Sequence, residues 1–281
     1  MAHTATSDFT GFVNEKAAMT MSFVGQMIEA DIKRTIEGIE PIRERALKEI
    51  AEDDSLESDE ARAAAQRLVK KLFVVVEETI KSGKIDGGMS VLLDETNMTV
   101  VGGLKVADGN KLDAAIKDLA DIAKSDPEFP GIKFNADRLG DTRFHTMSLP
   151  IPEGEDAADV FGETLEIAMG VGSSAVYLGF GNDCLGKLKD AITKSPKGQG
   201  PVNPTRIKAS LGQIMRFASN FDDNPMVAMM AEAMAAQKGT DNITVTGKAI
   251  PNGNSMRLEI ESGVLKSISE VQGAGEAAGA F

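Results

Sequence analysis

Residue types that carry much of protein chemistry are scarce in this chain. Its 281 residues include one cysteine, Cys184, and two histidines, His3 and His145. A single cysteine excludes an internal disulfide and any zinc site that needs several thiolates. The acidic clusters, such as the one at Asp222 and Asp223, also lack the residue pattern of a calcium-binding loop. The sequence therefore predicts no metal site.

Basic residues are outnumbered by acidic ones, and long apolar runs are lacking as well. The 30 Lys and Arg residues are outnumbered by 43 Asp and Glu, which gives a net charge of −13. An acidic surface repels nucleic-acid phosphates and anionic lipid, so neither is an expected partner. No apolar run approaches the roughly 18 residues of a membrane span, and the apolar run at residues 73–76 is short. We expect no transmembrane segment and no export signal in the chain as given.

Aromatic residues are few, whereas methionine and glycine are common. The chain has no Trp and one Tyr, but 14 Met and 28 Gly. Hydrophobic residues make up 42% and charged residues 26%, which is typical of a globular protein. Because methionine is flexible and adapts to irregular surfaces, we expect a comparatively pliant core.

A unit of strand, tight turn, strand and amphipathic helix recurs three times. In the clearest copy, at residues 164–192, apolar residues alternate on both sides of a glycine-rich turn. The other copies lie at residues 89–119 and 243–268, and the last has an Asn-Gly turn, a strong hairpin signal. A short polar residue before each helix, such as Asp108 or Asp183, is suited to cap it.

The two outer units are each preceded by a long stretch that we interpret as helical, at residues 12–81 and 204–238. The outer hairpins lie roughly 155 residues apart, far beyond the repeat lengths of solenoids. This spacing indicates an internal duplication with an incomplete second copy. We predict an α+β fold in which antiparallel β-hairpins form one or two sheets, with helices packed on one face.

Three segments follow from this interpretation. Residues 1–82 form an N-terminal helical hairpin that packs on the first sheet, because apolar residues recur at helical spacing before and after an acidic turn. Residues 83–198 contain the central hairpin and helix repeats. Residues 199–281 hold a second helical segment, a hairpin and a short helix, as a partial duplicate of the first part.

The second helical segment carries the predicted contact site. A stripe of methionines at such spacing usually belongs to the core, but it also suits an adaptable apolar groove for a lipid or a partner helix. The residues of this site are Met226, Met229, Met230, Met234 and Phe217.

Cys184 and His145 are the candidate residues for nucleophilic catalysis. Cys184 opens a predicted helix, where the helix dipole lowers the pKa of a thiol, but a small buried residue is the alternative. His145 alternates with Arg143 along a strand, so we expect it to face water on the outer side of a half-buried sheet. No family spacing supports a Cys184–His145 dyad, and no Gly-x-Ser-x-Gly elbow is present. We predict no catalytic residues.

Two glycine-rich stretches invite a nucleotide interpretation. The stretch at residues 170–175 follows a strand, but a second strand comes next where a dinucleotide site needs a helix N-terminus. The stretch at residues 179–181 lacks the Lys-Ser/Thr ending of a phosphate loop. We therefore predict no cofactor and interpret these glycines as permitting tight turns.

Two segments carry a resemblance to known proteins. Residues 175–192 and 256–268 resemble uncharacterised exported proteins of planctomycete bacteria in their order of hairpin and helix. The resemblance implies a signal-bearing, longer parent protein in a periplasmic or secreted setting. It implies no activity and no functional residues.

The function that we predict is a non-enzymatic extracytoplasmic binding or structural protein that self-associates or binds a protein partner. The alternative is a carrier that holds a lipid or another apolar ligand between the sheet and the Met-rich helices. A third hypothesis is an enzyme whose site does not show in the sequence.

Overall fold

The structure is a computed structural model that describes residues 5–53, 58–124, 129–152, 154–195, 199–222, 224–237, 239–250 and 253–277. The helices are α1 (Glu29–Ala51), α2 (Asp59–Lys81), α3 (Gly109–Ala123), α4 (Asp156–Phe161), α5 (Cys184–Thr193), α6 (Leu211–Ala218), α7 (Pro225–Ala236) and α8 (Ser262–Ala277). The strands are β1 (Ala5–Ser7), β2 (Met19–Gln26), β3 (Lys84–Leu93), β4 (Met98–Lys105), β5 (Lys133–Leu139), β6 (Thr142–Pro150), β7 (Thr164–Val171), β8 (Ala175–Gly181), β9 (Gln199–Val202), β10 (Thr205–Ser210), β11 (Asn242–Ile250) and β12 (Gly253–Ile260).

Ten of these strands form one sheet in the order β12-β11-β10-β2-β3-β4-β8-β7-β6-β5. Every neighbouring pair in it is antiparallel. Strands β1 and β9 pair separately as a two-stranded sheet. The predicted α+β class built from antiparallel hairpins is confirmed.

The three predicted hairpin units are present as β3-β4-α3, β7-β8-α5 and β11-β12-α8. Asp108 caps α3 as expected, since its side chain accepts hydrogen bonds from the N–H groups of Asn110 and Lys111. Asp183 does not cap α5 in this way, because it adopts a left-handed conformation with φ of 52° and makes no side-chain cap bond. The turn predicted at Asn252 lies outside the described residues.

The prediction of continuous helix over residues 12–81 and 204–238 is wrong at two strands, β2 and β10. Residues of β2 alternate, with Met19, Met21 and Phe23 on one face of the sheet and the residues between them on the other, which is the period of a strand. Strands β10 and β2 pair with each other as the third and fourth strands from the β12 edge of the sheet. Beyond β2, α1 and α2 pack together as the predicted helical hairpin.

The registers of the strands define two faces of the large sheet. Residues directly opposite each other on neighbouring strands share a face, so each face can be followed across the sheet. On one face, here called the apolar face, a row of opposed residues runs from β12 to β6: Leu258, Val245, Ile207, Met21, Met89, Gly102, Leu178, Met169 and His145. The matching row on the other face, here called the core face, is Arg257, Thr246, Arg206, Ser22, Gly88, Gly103, Tyr177, Gly170 and Phe144.

The core lies on the half of the core face that contains β3, β4, β8, β7 and β6. A 3₁₀ helix at Thr10–Phe12 and helix α5 pack there, and the buried residues they bring together include Phe9, Phe12, Phe144 and Leu188. Glycines in the sheet make this close approach possible. A Cβ atom at Gly103 would stand 2.7 Å from the Phe9 ring, and one at Gly179 would stand 2.9 Å from Leu188.

Strands from all three predicted segments join the same sheet. The order of elements from β2 to α3 matches the order from β10 to α8 in one respect, since each has a strand, two helices, a hairpin and a helix. The internal duplication and the division at residues 82 and 198 stay predictions.

Candidate functional site

The apolar face is open to solvent in the middle of the sheet. Leu178 is 50% exposed, although β8 is an interior strand with β4 and β7 on either side. Opposite it on β4 stands Gly102, which has no side chain to cover it, and nearby Leu104 is also exposed. An interior apolar residue of this size is normally covered, so the described helices leave an apolar surface here.

The apolar face ends at β12, an edge strand that is exposed along its whole length. All eight of its residues are exposed, with Met256 at 72% and Leu258 at 61%. Together with Ile260 they form a stripe on the apolar face, here called the edge stripe. The sequence predicts this strand but not its edge position, which depends on where the rest of the chain lies.

The two edges of the sheet differ in how they are protected. At the other edge, β5 pairs irregularly with β6, with a register shift between Lys133 and Asp137 and a left-handed residue at Asn135. Such bulges and charges prevent an edge strand from pairing with another chain. Strand β12 pairs with β11 through eight consecutive residues with no shift, so it offers a regular edge.

The predicted methionine site is divided by the structure. Met226 and Met229 on α7 are exposed and Met230 is partly buried, whereas Met234 is buried beside Gly212 of α6. Phe217 on α6 is partly buried, with its ring centre 4.9 Å from that of Phe221. Met234 thus belongs to the packing of α6 against α7, and Met226 and Met229 are the exposed members of the site.

A cleft of about 590 Å³ lies beside the core, where β4 ends and β8 begins. Asp8, Lys105, Asp141 and Tyr177 line it, and the glycine-rich turn between β7 and β8 forms one wall. Lys105 Nζ lies 3.0 Å from an Asp8 carboxylate oxygen. Burial, together with the charges of Asp141 and Asp8, raises the pKa of Tyr177 to about 12. Two carboxylates in this cleft disfavour a phosphate ligand.

The structure places the Cys184 side chain in the core. Its side chain is buried against the core face, where its Sγ lies 3.6 Å from the carbonyl oxygen of Glu166. Burial, with the negative charge of Glu166, raises the pKa of the thiol to about 11, against the expected effect of the helix start. Cys184 and His145 lie on opposite faces of the sheet, so they form no dyad.

His145 is buried, so the prediction that it faces water is wrong. Its Nε2 lies 2.7 Å from Asp113 Oδ1 on α3, and its Nδ1 accepts a hydrogen bond from the backbone N–H of Asn135. A ring that accepts at Nδ1 carries its proton on Nε2 and donates it to Asp113. Helix α3 covers the apolar face at this end of the sheet, which the strand pattern alone does not reveal.

Asp113 is the centre of a small charged cluster. Its other carboxylate oxygen lies 2.9 Å from Lys117 Nζ and 3.5 Å from Arg143. Burial raises the pKa of Asp113, but hydrogen bonds from Lys117 and His145 and the charge of Arg143 outweigh it, so the pKa is lowered overall. His145 and Arg143 on β6 thus bind Asp113 on α3, while Lys117 pairs with it inside the helix, which indicates a structural role.

The described residues contain neither a candidate metal site nor a candidate membrane span. No group of three or more His, Cys, Asp or Glu side chains among them is arranged to hold a metal ion. None of the helices in that part of the chain combines the length and the apolar character needed to cross a membrane. Comparison with known protein families, curated proteins and solved structures gives no match to this chain.

Proposed function

We propose that this chain is a non-enzymatic binding or structural protein that self-associates through the exposed edge of its sheet. The observation that carries the proposal is the edge stripe, in which Met256, Leu258 and Ile260 are exposed on a strand whose outer edge pairs with none of the described strands. Edge strands in proteins that stay monomeric are usually short, bulged, charged or covered. Strand β12 has eight residues, pairs regularly with β11 and is uncovered, and its two charged residues, Arg257 and Glu259, are of opposite sign.

The chemistry of the clefts and buried groups supports a role without catalysis. The pKa values of the Cys184 thiol and the Tyr177 hydroxyl are both raised by burial, and His145 is engaged at both ring nitrogens. A general base or a nucleophile needs a free, correctly ionised group within reach of a substrate. Among the described residues, these three groups do not meet that requirement.

Self-association is tested by light scattering of the purified protein over a wide range of micromolar concentrations. We expect the mass to exceed that of one chain, and we expect a variant with serine at Met256, Leu258 and Ile260 to remain a monomer at the same concentrations. The matched control is Leu119→Ser, which removes an exposed apolar side chain from α3. A wild-type protein that stays monomeric throughout this range contradicts the proposal.

A second function, carriage of an apolar ligand, is favoured by the exposed Leu178 and Leu104 on interior strands of the sheet. With Met226 and Met229 also exposed on α7, the chain presents apolar surface on both sheet and helix. Nothing charged stands opposite Leu178, whose direct neighbours are Gly102 and Met169. Such a surface suits an uncharged or weakly charged lipid chain better than an anionic headgroup, given the net charge of −13.

Native mass spectrometry of the purified protein tests the carrier function. We expect co-purified lipid on the wild type, and we expect its occupancy to fall severalfold in Leu178→Glu and in a variant with glutamate at Met229 and Met230. Lys33→Glu at an exposed position of α1 serves as the control for added negative charge. Wild-type protein without bound lipid after gentle purification removes this function.

The setting outside the cytoplasm also belongs to the proposal. Its support is the sequence resemblance to exported planctomycete proteins, which implies a periplasmic or secreted location.

A further inference from the structure

We propose that the partner of the edge stripe is β12 of a second copy, paired antiparallel about a twofold axis at Leu258. The inference rests on the proposed self-association and specifies its geometry. The pairing extends the ten-stranded sheet of each copy into a continuous sheet across the dimer. It places Leu258 opposite Leu258 of the second copy, and Met256 opposite Ile260.

The backbone of β12 has the correct hydrogen-bonding phase for this pairing. The N–H of Glu261 donates to the carbonyl of Asn242 on β11, 3.0 Å away. Backbone N–H and C=O groups alternate in direction along a strand. Those of Glu259 and Arg257 therefore also point toward β11. The N–H and C=O groups of Ile260, Leu258 and Met256 therefore point outward, free to pair with a second strand. An antiparallel pair centred on Leu258 uses all three residues.

The charges on β12 select this register over its neighbours. Arg257 and Glu259 lie on the core face, where they form an ion pair within one chain, with 2.6 Å between Arg257 Nη2 and Glu259 Oε1. Centring the pair on Leu258 places each Arg257 directly opposite Glu259 of the other copy. Opposite charges across a non-hydrogen-bonded pair are close together and stabilise the sheet.

Other registers lose this match. Centring on Arg257 brings two arginines face to face, and centring on Glu259 brings two glutamates together. Centring on Ile260 sets Glu259 opposite Glu261, while centring on Met256 sets Arg257 opposite Ser255. A shift by a single residue between the copies would set Leu258 of one copy opposite Arg257 or Glu259 of the other. The apolar face of one copy would then continue into the core face of the other. The Leu258-centred register is the one that satisfies backbone, apolar and charged groups together.

The fold itself already contains antiparallel pairs between strands that no hairpin connects. Strands β2 and β10 pair antiparallel inside the sheet, and β4 pairs in the same way with β8, in each case joining strands distant in sequence. On the apolar face, the Leu258-centred pair would continue the apolar row into the second copy. Helix α8 follows β12 directly and exposes Leu265 and Ile268, which add apolar surface near the same edge.

Disulfide trapping tests the register. In the proposed dimer, Arg257 and Glu259 of opposite copies are directly opposed, with Cα atoms about 4.5 Å apart, within reach of a disulfide. All variants carry Cys184→Ala to remove the native thiol. We expect a mixture of Arg257→Cys and Glu259→Cys chains to form a cross-linked dimer on mild oxidation, because the two thiols meet. Each variant alone should cross-link severalfold less, because identical positions are offset along the strands.

Charge reversal tests the same register without a covalent bond. Arg257→Glu alone and Glu259→Arg alone each place like charges opposite one another, so each should dimerise about tenfold more weakly than the wild type. A mixture of the two variants restores opposite charges across the interface and should recover dimerisation. The ion pair within one chain is lost in both variants and in the mixture, so recovery reports contacts between copies.

The outcomes separate this inference from the proposed function. Cross-linking in the mixture, with recovery on mixing the charge variants, supports the Leu258-centred dimer. A wild-type dimer whose Arg257→Cys or Glu259→Cys variant cross-links alone overturns the register and leaves self-association standing. A protein that remains monomeric, with no cross-linking in any mixture, overturns both.

Discussion

Replacing Gly11 by alanine is expected to lower the free energy of unfolding by about 3 kcal/mol, at the upper end of the cost of overpacking a core. A Cβ atom at Gly11 would stand 2.1 Å from the carbonyl oxygen of Ala191 and 2.8 Å from Ser195 Oγ. Both neighbours belong to the C-terminal end of α5 or follow it, and the carbonyl is backbone that cannot rotate away. The 3₁₀ helix must therefore move outward.

Such a movement disturbs the centre of the core. Phe9 and Phe12 flank Gly11, and both rings are buried and contact Tyr177, at ring-centre distances of 6.0 and 5.8 Å. Gly11 also donates its N–H to Ser195 Oγ, a bond of 2.8 Å that an outward shift would stretch. The cost is measured as a lower midpoint in urea unfolding followed by circular dichroism.

Gly38→Ala is the matched control for this substitution. Gly38 lies inside α1, and no atom stands within 4 Å of the position where its Cβ would be. Alanine is favoured over glycine in a helix interior by up to about 1 kcal/mol, so this variant should be slightly more stable than the wild type. Equal effects of the two substitutions, in either direction, would contradict the tight packing of the 3₁₀ helix against α5.

The hairpins could be predicted from the sequence because their signals are local. In β7 and β8, alternating apolar residues flank a short turn, and the partner strand is adjacent in the chain. Strands β2 and β10 were predicted as helix because their partners are distant. Met21 pairs with Ile207 and Met89, and no turn beside β2 indicates either pairing. Short apolar stretches next to true helices are ambiguous in periodicity alone.

The exposure of the edge stripe could not be predicted from the local sequence pattern. Met256, Leu258 and Ile260 were predicted as a strand with one apolar side, which in most sheets would be covered. Their exposure follows from the order of ten strands, which places β12 at an edge. The same reason explains His145, whose partner Asp113 comes from a helix 32 residues away in sequence. Alternation in β6 correctly separates His145 from Phe144, but it does not say which face α3 covers.

The Cys184 thiol shows how two physical effects of opposite sign are decided by the tertiary structure. A helix start lowers a thiol pKa, whereas removal from water raises it. Cys184 opens α5, but α5 packs on the core face of the sheet and buries the thiol there. Burial is the larger effect, so the pKa of the thiol is raised. The sequence shows the helix start and cannot show the burial.

Asp113→Ala is expected to lower the free energy of unfolding by about 3 kcal/mol, because it leaves a buried polar partner unpaired. His145 is buried and donates its Nε2 proton to Asp113, so removing the carboxylate leaves that N–H without its acceptor. Arg143 and Lys117 lose the same partner, but they are partly exposed and can turn to water. Asp121→Ala on the same helix removes an exposed carboxylate paired with Lys124 and should leave stability nearly unchanged.

The pH dependence of stability distinguishes this ion cluster from simple loss of packing. The pKa of Asp113 is lowered in the folded protein, so its contribution is present above its unfolded pKa of about 4 and is lost as the pH falls through the lower folded value. The wild type should therefore lose stability below about pH 4 more steeply than Asp113→Ala, and the two unfolding curves should converge there. A constant difference between them from neutral pH down to acid would show that the carboxylate charge contributes nothing and that His145 is held by packing alone.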